Sequence, residues 1–400
     1  MSYTHDLRRS SPDTITIPCL ILCLLVLLIE RVFPMVPDRV TPLYRPTFMA
    51  ICLLAPSTRF YRIREMKYYF VILAYFTVVY LTHAATPENL NAFLSVFTFG
   101  LFLIIAGLRV WNEREIKWII CAIIIGSVIQ SLVLIVSNNG LLHSAGAQHV
   151  TFLGKGINRN PCAFAVAMGG VCSAFCLTYV KKLNMFWVFS VVSFVICAYV
   201  VIALGCRSAF VSFMGGVLIV LWQGSGEKQH GAGKNRRRLV LIVGLVILFF
   251  IGTQMTEGTY SARLFSYSGQ YDSGRHEIWA RCWEHVKLKP VFGGGFDNFP
   301  PNWDIGTHNT FITWMLYGGV VVVAIWGLFF IHLILSSLNQ HNLIPIAFLI
   351  ETFMHCYTET DMDYYAYIPM IVSVILLNYL RYTNKSLSPI FSSKQSKKYG

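Results

Sequence analysis

Long apolar runs alternate with short polar connections along most of the chain. The runs approach the roughly 20 apolar residues that a helix needs to cross a bilayer. They lie at 15–29, 43–56, 68–82, 90–108, 116–136, 161–180, 184–204, 208–222, 239–255, 310–335, 343–357 and 365–380. This pattern predicts an all-α polytopic membrane protein with about 12 transmembrane helices. Because further spans follow it, we interpret the first run as a span and not as a cleaved signal peptide.

One polar segment, 256–309, is far longer than the other connections. It separates nine predicted spans in 1–255 from the last three in 310–380, and a polar tail, 381–400, follows them. Long connections in proteins are commonly functional. The middle of the segment, SGRHEIWARCWEHVKLKP, carries apolar residues at helical spacing and predicts a helix that Ser273 caps and Pro290 ends. We interpret the segment as a lid on the helix bundle.

The composition agrees with a lipid environment, since 55% of the residues are hydrophobic and 13% are charged, against roughly 25% charged in soluble domains. The net charge of +13 reflects basic residues that concentrate on alternate connections, as expected for cytoplasmic loops. Both termini are therefore predicted to be cytoplasmic, whereas the outer loop 357–364 is acidic. The basic excess indicates contact with membrane lipids and argues against nucleic-acid binding. The inner basic residues are Arg8, Arg9, Arg59, Arg62, Arg64, Lys67, Arg109, Arg114, Lys117, Lys181, Lys182, Lys228, Lys234, Arg236, Arg237, Arg238, Arg381, Lys385, Lys394, Lys397 and Lys398.

Neither a metal site nor a cofactor motif is evident. Most of the 11 cysteines lie inside apolar runs, where cysteine behaves as a small hydrophobic residue. There is no C-x-x-C pair, so zinc-like spacing is lacking. We therefore expect a function that needs no metal and no cofactor.

Arg207 interrupts a nearly continuous apolar stretch, LGCRSAF, between the seventh and eighth predicted spans. A charge at membrane depth costs a few kcal/mol or more, and it usually faces a cavity or a partner. Gly205 allows close approach of the backbone at this point. We interpret Arg207 as a functional residue, and an arginine that snorkels to the interface at a tight turn is the alternative.

Further candidates lie on the same predicted outer side. His308 stands where the long segment re-enters the membrane, a position that suits proton transfer. Lys155 and Arg159 lie in the outer loop that ends GKGINRNP. Arg281 is spaced to form an ion pair with Glu277 within one helix. A structural role is therefore the alternative to a role of Arg281 in the site.

Three local features, in this order and with this topology, resemble the O-antigen ligases, within the broader O-antigen ligase and polymerase superfamily. They are Arg207-Ser208 at the eighth span, Arg275-x-x-x-Trp279 through Lys289-Pro290 to Gly293-Gly294-Gly295-Phe296, and His308-Asn309-Thr310-Phe311 leading into Leu316-Tyr317-Gly318-Gly319. The resemblance extends over nearly the whole chain. It implies a GT-C-like fold in the bacterial inner membrane, with 256–309 as a periplasmic loop that contains short helices.

The resemblance implies a metal-independent, inverting glycosyltransferase of lipopolysaccharide biosynthesis. Such ligases transfer a glycan from undecaprenyl diphosphate to a sugar hydroxyl of lipid A–core on the periplasmic face. His308 would be the general base, and Arg207 and Arg275 would bind and stabilise the diphosphate. Lys155 and Arg159 are further candidates for the diphosphate site. Secondary site candidates are Asn309, Arg281 and Trp279.

Other functions remain open at this point. An O-antigen polymerase would use the same lipid-linked donor with a different acceptor, and protein O-oligosaccharyltransferases are also relatives. A transporter of lipid-linked sugars is a further alternative, although transporters usually show two related halves.

Overall fold

The computed structural model describes residues 66–82, 87–109, 111–141, 149–152, 155–180, 184–226, 242, 274–296, 306–359, 364–383, 387 and 390. The spans predicted at 15–29, 43–56 and 239–255 lie outside these residues, apart from the single residue 242. So does most of the tail 381–400, as do 256–273 and 297–305 of the long segment. The total of about 12 spans, the GT-C-like fold, the periplasmic position of the loop and the cytoplasmic position of the termini therefore stay predictions.

The described part of the chain is mostly helical. Its α-helices are α1 (Met66–Thr82), α2 (Pro87–Leu108), α3 (Glu113–Ser137), α4 (Arg159–Tyr179), α5 (Met185–Ala203), α6 (Arg207–Gly226), α7 (Arg275–Leu288), α8 (Thr310–Asn339), α9 (Ile344–Thr358) and α10 (Tyr364–Thr383). Each coincides closely with a predicted span or, for α7, with the helix predicted inside the long segment. The predicted cap is wrong, however, because the residue before α7 is Gly274 and no side chain caps the helix.

Four of the described helices are long and apolar enough to cross a membrane, and these are α3, α4, α5 and α8. Shorter apolar helices overlap α1, α6, α9 and α10. Exposed apolar side chains are frequent on these helices, for example Leu81 on α1 and Leu328 on α8. An apolar surface of this kind suits contact with lipid and not with water.

Helix α4 lies at the centre of the bundle, with nearly all of its residues buried. It packs against α3, α5, α6 and α9. Gly169 and Gly170 permit this close packing, because a Cβ atom at Gly169 would lie 2.2 Å from the Cβ of Ser127 on α3. Small residues at such contacts are common between helices in membranes.

The connection between α2 and α3 is short, and its Arg109 and Trp111 are buried. Arg109 is 1% exposed, and its Nη2 lies 2.8 Å from Oε1 of Glu115. Its guanidinium also lies over the ring of Trp111. Asn112 caps α3 in a reciprocal capping box with Glu115. One nitrogen of the buried guanidinium is thus paired locally with a carboxylate, whereas its Nε and Nη1 have no hydrogen-bond partner among the described residues.

A small β-hairpin precedes α4, and the all-α prediction missed it. Strands β1 (His149–Phe152) and β2 (Lys155–Asn158) pair antiparallel, with Val150 opposite Ile157. Asn138, after α3, holds the hairpin by accepting from the backbone N–H of Thr151 and donating to its carbonyl. The hairpin therefore fixes the chain that enters α4.

Candidate functional site

Four helix N-termini converge on one cavity of about 370 Å³. Its wall includes Arg159 at the start of α4, Arg207 at the start of α6, Arg275 at the start of α7, and His308, just before α8. The last turns of α9 close another side through Met354, Tyr357 and Thr358. The remaining lining residues are Asn158, Asn160, Gly205, Cys206, Ser208 and Val211. Residues from four helices and from the turn before a fifth, far apart in the sequence, therefore meet in one place.

Arg159 is held by the local structure at the end of the hairpin. The side chain of Asn158 caps α4 by accepting from the backbone N–H of Asn160 at 3.0 Å. Arg159 follows directly and is 6% exposed. A buried guanidinium is unusual unless a counter-charge or polar partners surround it. Its position in the cavity wall makes it a stronger site candidate than the sequence alone indicated.

Arg207 follows a tight turn between α5 and α6. Gly205 in this turn has φ +64°, a conformation that glycine adopts at no steric cost. The arginine is exposed at the cavity wall, whereas the preceding Cys206 is buried, and burial raises the pKa of the Cys206 thiol. The thiol is thus kept neutral, and the charged group of this turn is the guanidinium.

Arg275 and His308 are brought together by the packing of α7 on the chain before α8. The Nε1–H of Trp279 donates to the carbonyl of Thr307 at 2.9 Å. The hydroxyl of Thr307 lies 2.9 Å from the carbonyl of Asn309, to which it donates. Between them His308 adopts φ +49°, which is rare for a residue with a side chain. This strained position follows from the two anchored neighbours and turns the imidazole to the cavity wall.

Glu359, at the end of α9, is the main residue of this region that the sequence did not single out. Its Oε1 lies 3.6 Å from Nη2 of Arg275, and its Oε2 lies 3.9 Å from Nδ1 of His308. Asn160 donates from Nδ2 to the same Oε1 at 3.0 Å, and Thr310 donates to the Glu359 carbonyl. The carboxylate is nearly buried, with 7% of the residue exposed. It therefore links four of the elements that form the cavity.

Three other predicted site residues, Arg281, Asn309 and Trp279, do not line the cavity in the described part of the chain. Arg281 is 64% exposed and pairs with Glu277 at 2.5 Å, the ion pair that its spacing predicts. Asn309 caps α8, accepting from the backbone N–H of Ile312 at 3.1 Å. Trp279 stands behind the wall, against Tyr357. Lys155 lies in β2, and its side chain is outside the described structure.

The charge of the cavity wall is positive. Among the described lining residues, three are arginines and none is acidic, while Glu359 stands directly behind them. The N-terminal ends of α4, α6, α7 and α8 add partial positive charge, because the backbone N–H groups of a first helical turn have no partners within the helix. The site is therefore suited to an anion, and several donors converge on it.

Residues 192–327 match the family model described as O-antigen ligase. Over this segment, about a third of its length, the chain is similar to the O-antigen ligases. The matched segment contains Arg207, Arg275 and His308, whereas Arg159 and Glu359 lie outside it and reach the same cavity through the fold. The family includes both ligases and polymerases, glycosyltransferase-like enzymes of O-antigen processing. Together with the apolar helices, this similarity indicates a membrane protein. No curated protein matches the chain significantly.

Proposed function

We propose that this chain is an O-antigen ligase of the bacterial inner membrane, with its cavity open to the periplasm. It transfers a glycan from undecaprenyl diphosphate to a sugar hydroxyl of lipid A–core, without a metal ion and with inversion at the anomeric carbon. The observation that carries the proposal is the meeting of Arg159, Arg207, Arg275 and His308 in one cavity.

The three guanidinium groups suit the diphosphate of the donor. As the bond between the anomeric carbon and the phosphate oxygen breaks, the electron pair moves to the phosphate and negative charge grows there. Arginine binds phosphate oxygens through paired, charge-assisted hydrogen bonds. Fixed positive groups stabilise growing charge without reorganising. Arg159 and Arg275 are held by buried or half-buried surroundings, so they are arranged before the donor binds.

His308 is the general base in this proposal. The acceptor hydroxyl attacks the anomeric carbon on the face opposite the diphosphate, and its proton passes to the imidazole Nε2. The products are the glycosylated acceptor, undecaprenyl diphosphate and a protonated histidine that later releases its proton to solvent. Since Glu359 lies beside Nδ1, its carboxylate stabilises the imidazolium as it forms. The separation of 3.9 Å is longer than a hydrogen bond, and catalytic contacts often tighten when substrate binds.

The test uses substitutions in purified protein reconstituted in vesicles, with transfer from a lipid-diphosphate glycan to lipid A–core as the readout. Arg207→Ala, Arg275→Ala and His308→Ala should each lower transfer by about 100-fold or more. Arg281→Ala is the matched control, because Arg281 lies on the same helix as Arg275 but pairs with Glu277 away from the cavity. Wild-type transfer by all three variants would reject the proposed site.

A deletion strain separates the ligase from its closest alternative. Loss of all polymer from the lipid A–core, with lipid-linked polymer accumulating, supports the ligase. A core that carries a single repeat unit indicates a polymerase instead, because chain growth is then lost while attachment persists. Complementation with the His308→Ala variant should reproduce the phenotype of the deletion.

A further inference from the structure

The chain after α7 inserts its backbone into a break in α8. Gly319, the tenth of the 30 residues of the apolar helix α8, has φ +67°. The backbone N–H groups of the two residues after it donate to carbonyls of the loop that follows α7. The backbone N–H groups of Gly294 and Gly295 donate to the carbonyls of Leu316 and Tyr317, and Val320 N–H donates to the Pro290 carbonyl. These bonds replace those that the break removes, as required for irregular backbone at membrane depth.

Helix α1 completes this contact, which we term the clasp (Pro290–Gly295 with Leu316–Val321). The hydroxyl of Tyr75 lies 3.0 Å from the carbonyl of Phe292 and 3.1 Å from that of Gly318. Tyr75 stands near the middle of α1, between Met66 and Thr82. The loop therefore meets the bundle at the level of the middle of an apolar helix and not at its end.

The depth of the clasp follows from the two helices that hold it. Tyr68 contacts His332, whereas Tyr75 contacts Gly318, so α1 and α8 run antiparallel. Gly318 lies eight residues after Thr310, or about 12 Å along α8 at 1.5 Å per residue. Beyond Tyr75, towards the same end, α1 still exposes Val78 and Leu81, which are 57% and 74% exposed. Apolar side chains thus continue outward past the level of the clasp.

The loop side of the clasp is itself apolar and exposed. Leu288 is 73% exposed, Val291 46% and Phe292 66%, beside Val320 of α8 at 47%. Through the clasp this patch adjoins α1 and α8, two apolar helices that also expose apolar side chains. Lys289 is also exposed within it, and a lysine stem can lie along apolar surface while its ammonium reaches the headgroups.

We propose that Leu288–Gly295 is a re-entrant segment that lies in the outer leaflet of the membrane, with Val291 and Phe292 in contact with lipid acyl chains. The occupant of this patch is the hydrocarbon of the bilayer, because the patch adjoins two apolar helices that expose apolar side chains and has no charged side chain other than Lys289. The lid is thereby attached on two sides, to α8 through its backbone and to the bilayer through its side chains. Only the N-terminal end of α7, at Arg275, then faces the cavity.

Photocrosslinking of the full-length protein tests this proposal. The chain is reconstituted in nanodiscs of phosphatidylethanolamine and phosphatidylglycerol, with benzoylphenylalanine in place of Phe292. The same residue at Leu328, exposed on α8, is the lipid-facing control, and at Arg281, exposed on α7, it is the aqueous control. Lipid adducts are measured by mass spectrometry after illumination.

We expect lipid adducts at position 292 to match those at 328 and to exceed those at 281 several-fold. Should position 292 disturb folding, benzoylphenylalanine at Val291 gives the same measurement. Adducts at 291 and 292 no more frequent than at 281, while 328 reacts, would overturn the proposal. Adducts to a second protein chain in place of lipid would also overturn it, because the patch would then be a protein interface.

Discussion

The carboxylate of Glu359 lies 3.6 Å from the guanidinium of Arg275. This ion pair joins the end of α9 to the first residue of α7, and the same carboxylate receives a hydrogen bond from Asn160. The pair is partly buried, with side chains 21% and 9% exposed, so solvent screens it less than a surface pair. An acidic residue outside the segment that matches the family model thus contacts the first residue of α7 at the cavity.

Glu359→Gln should lower the turnover of glycan transfer by about 10- to 100-fold, the effect of losing a contact between charged groups worth about 1.5–3 kcal/mol. The glutamine keeps an oxygen for Asn160 but has no charge for Arg275 or for a protonated His308. We expect the fold-change in kcat to be larger than the fold-change in the affinity for the donor. Steady-state transfer in vesicles at varied donor concentration measures both quantities.

Two further variants test whether the lower turnover results from the loss of the negative charge at position 359. Glu359→Asp keeps the carboxylate with a shorter reach and should recover part of the lost turnover. Asn160→Ala removes only a hydrogen bond to the carboxylate and should cost less than Glu359→Gln. Equal turnover in the wild type and Glu359→Gln would show that the carboxylate has no part in the reaction.

Arg159→Ala should weaken donor binding, because a buried guanidinium in the cavity wall is lost from the anion site. Arg159→Lys keeps the charge but not the planar, paired donors, so its donor affinity should fall between those of the wild type and the alanine variant. The measurement is the dependence of transfer on donor concentration. If Arg159 only supports the hairpin, both variants should lose thermal stability and keep the wild-type dependence on the donor.

The sequence predicted the elements of this site better than the contacts between them. Arg207 and His308 stand out in the sequence as polar residues at the ends of apolar runs. A charge at membrane depth is costly, so such a residue usually has a function. Glu359 does not stand out, because it lies among several acidic residues of the loop 357–364, and nothing local distinguishes the one that faces Arg275. The break in α8 at Gly319 also could not be predicted from the sequence. Its backbone bonds are made by residues of another segment, and helical periodicity reports only on neighbours in the sequence.

Asn309→Ala should lower the stability of the protein by about 1 kcal/mol, the usual value of a helix N-cap. Asn309→Ser retains an oxygen that can accept from the Ile312 N–H, so it should retain both stability and transfer. Thermal unfolding and transfer activity are measured on the same preparations. Loss of transfer in the serine variant at unchanged stability would instead assign Asn309 a direct contact with substrate.

Gly319→Ala should destabilise the protein, whereas Gly327→Ala on the same helix should not. A Cβ atom at Gly319 would lie 2.2 Å from the Val291 carbonyl oxygen, and the residue would keep φ +67°. The left-handed conformation alone costs an alanine roughly 1–2 kcal/mol, and the steric overlap adds to it. At Gly327 no atom lies within 4 Å of an added Cβ, so alanine there is accommodated. The midpoint of thermal unfolding in detergent, compared for the two variants, measures the difference.

The same pair of variants separates the clasp from a general effect on the membrane helix. If the clasp holds the lid, Gly319→Ala should also increase proteolysis between α7 and α8, while Gly327→Ala leaves the cleavage pattern unchanged. Tyr75→Phe removes the hydroxyl that donates to Phe292 and Gly318 and should produce a smaller change in the same direction. Equal unfolding midpoints and cleavage patterns for both glycine variants would contradict the role of Gly319, because only one of the two positions meets the loop backbone.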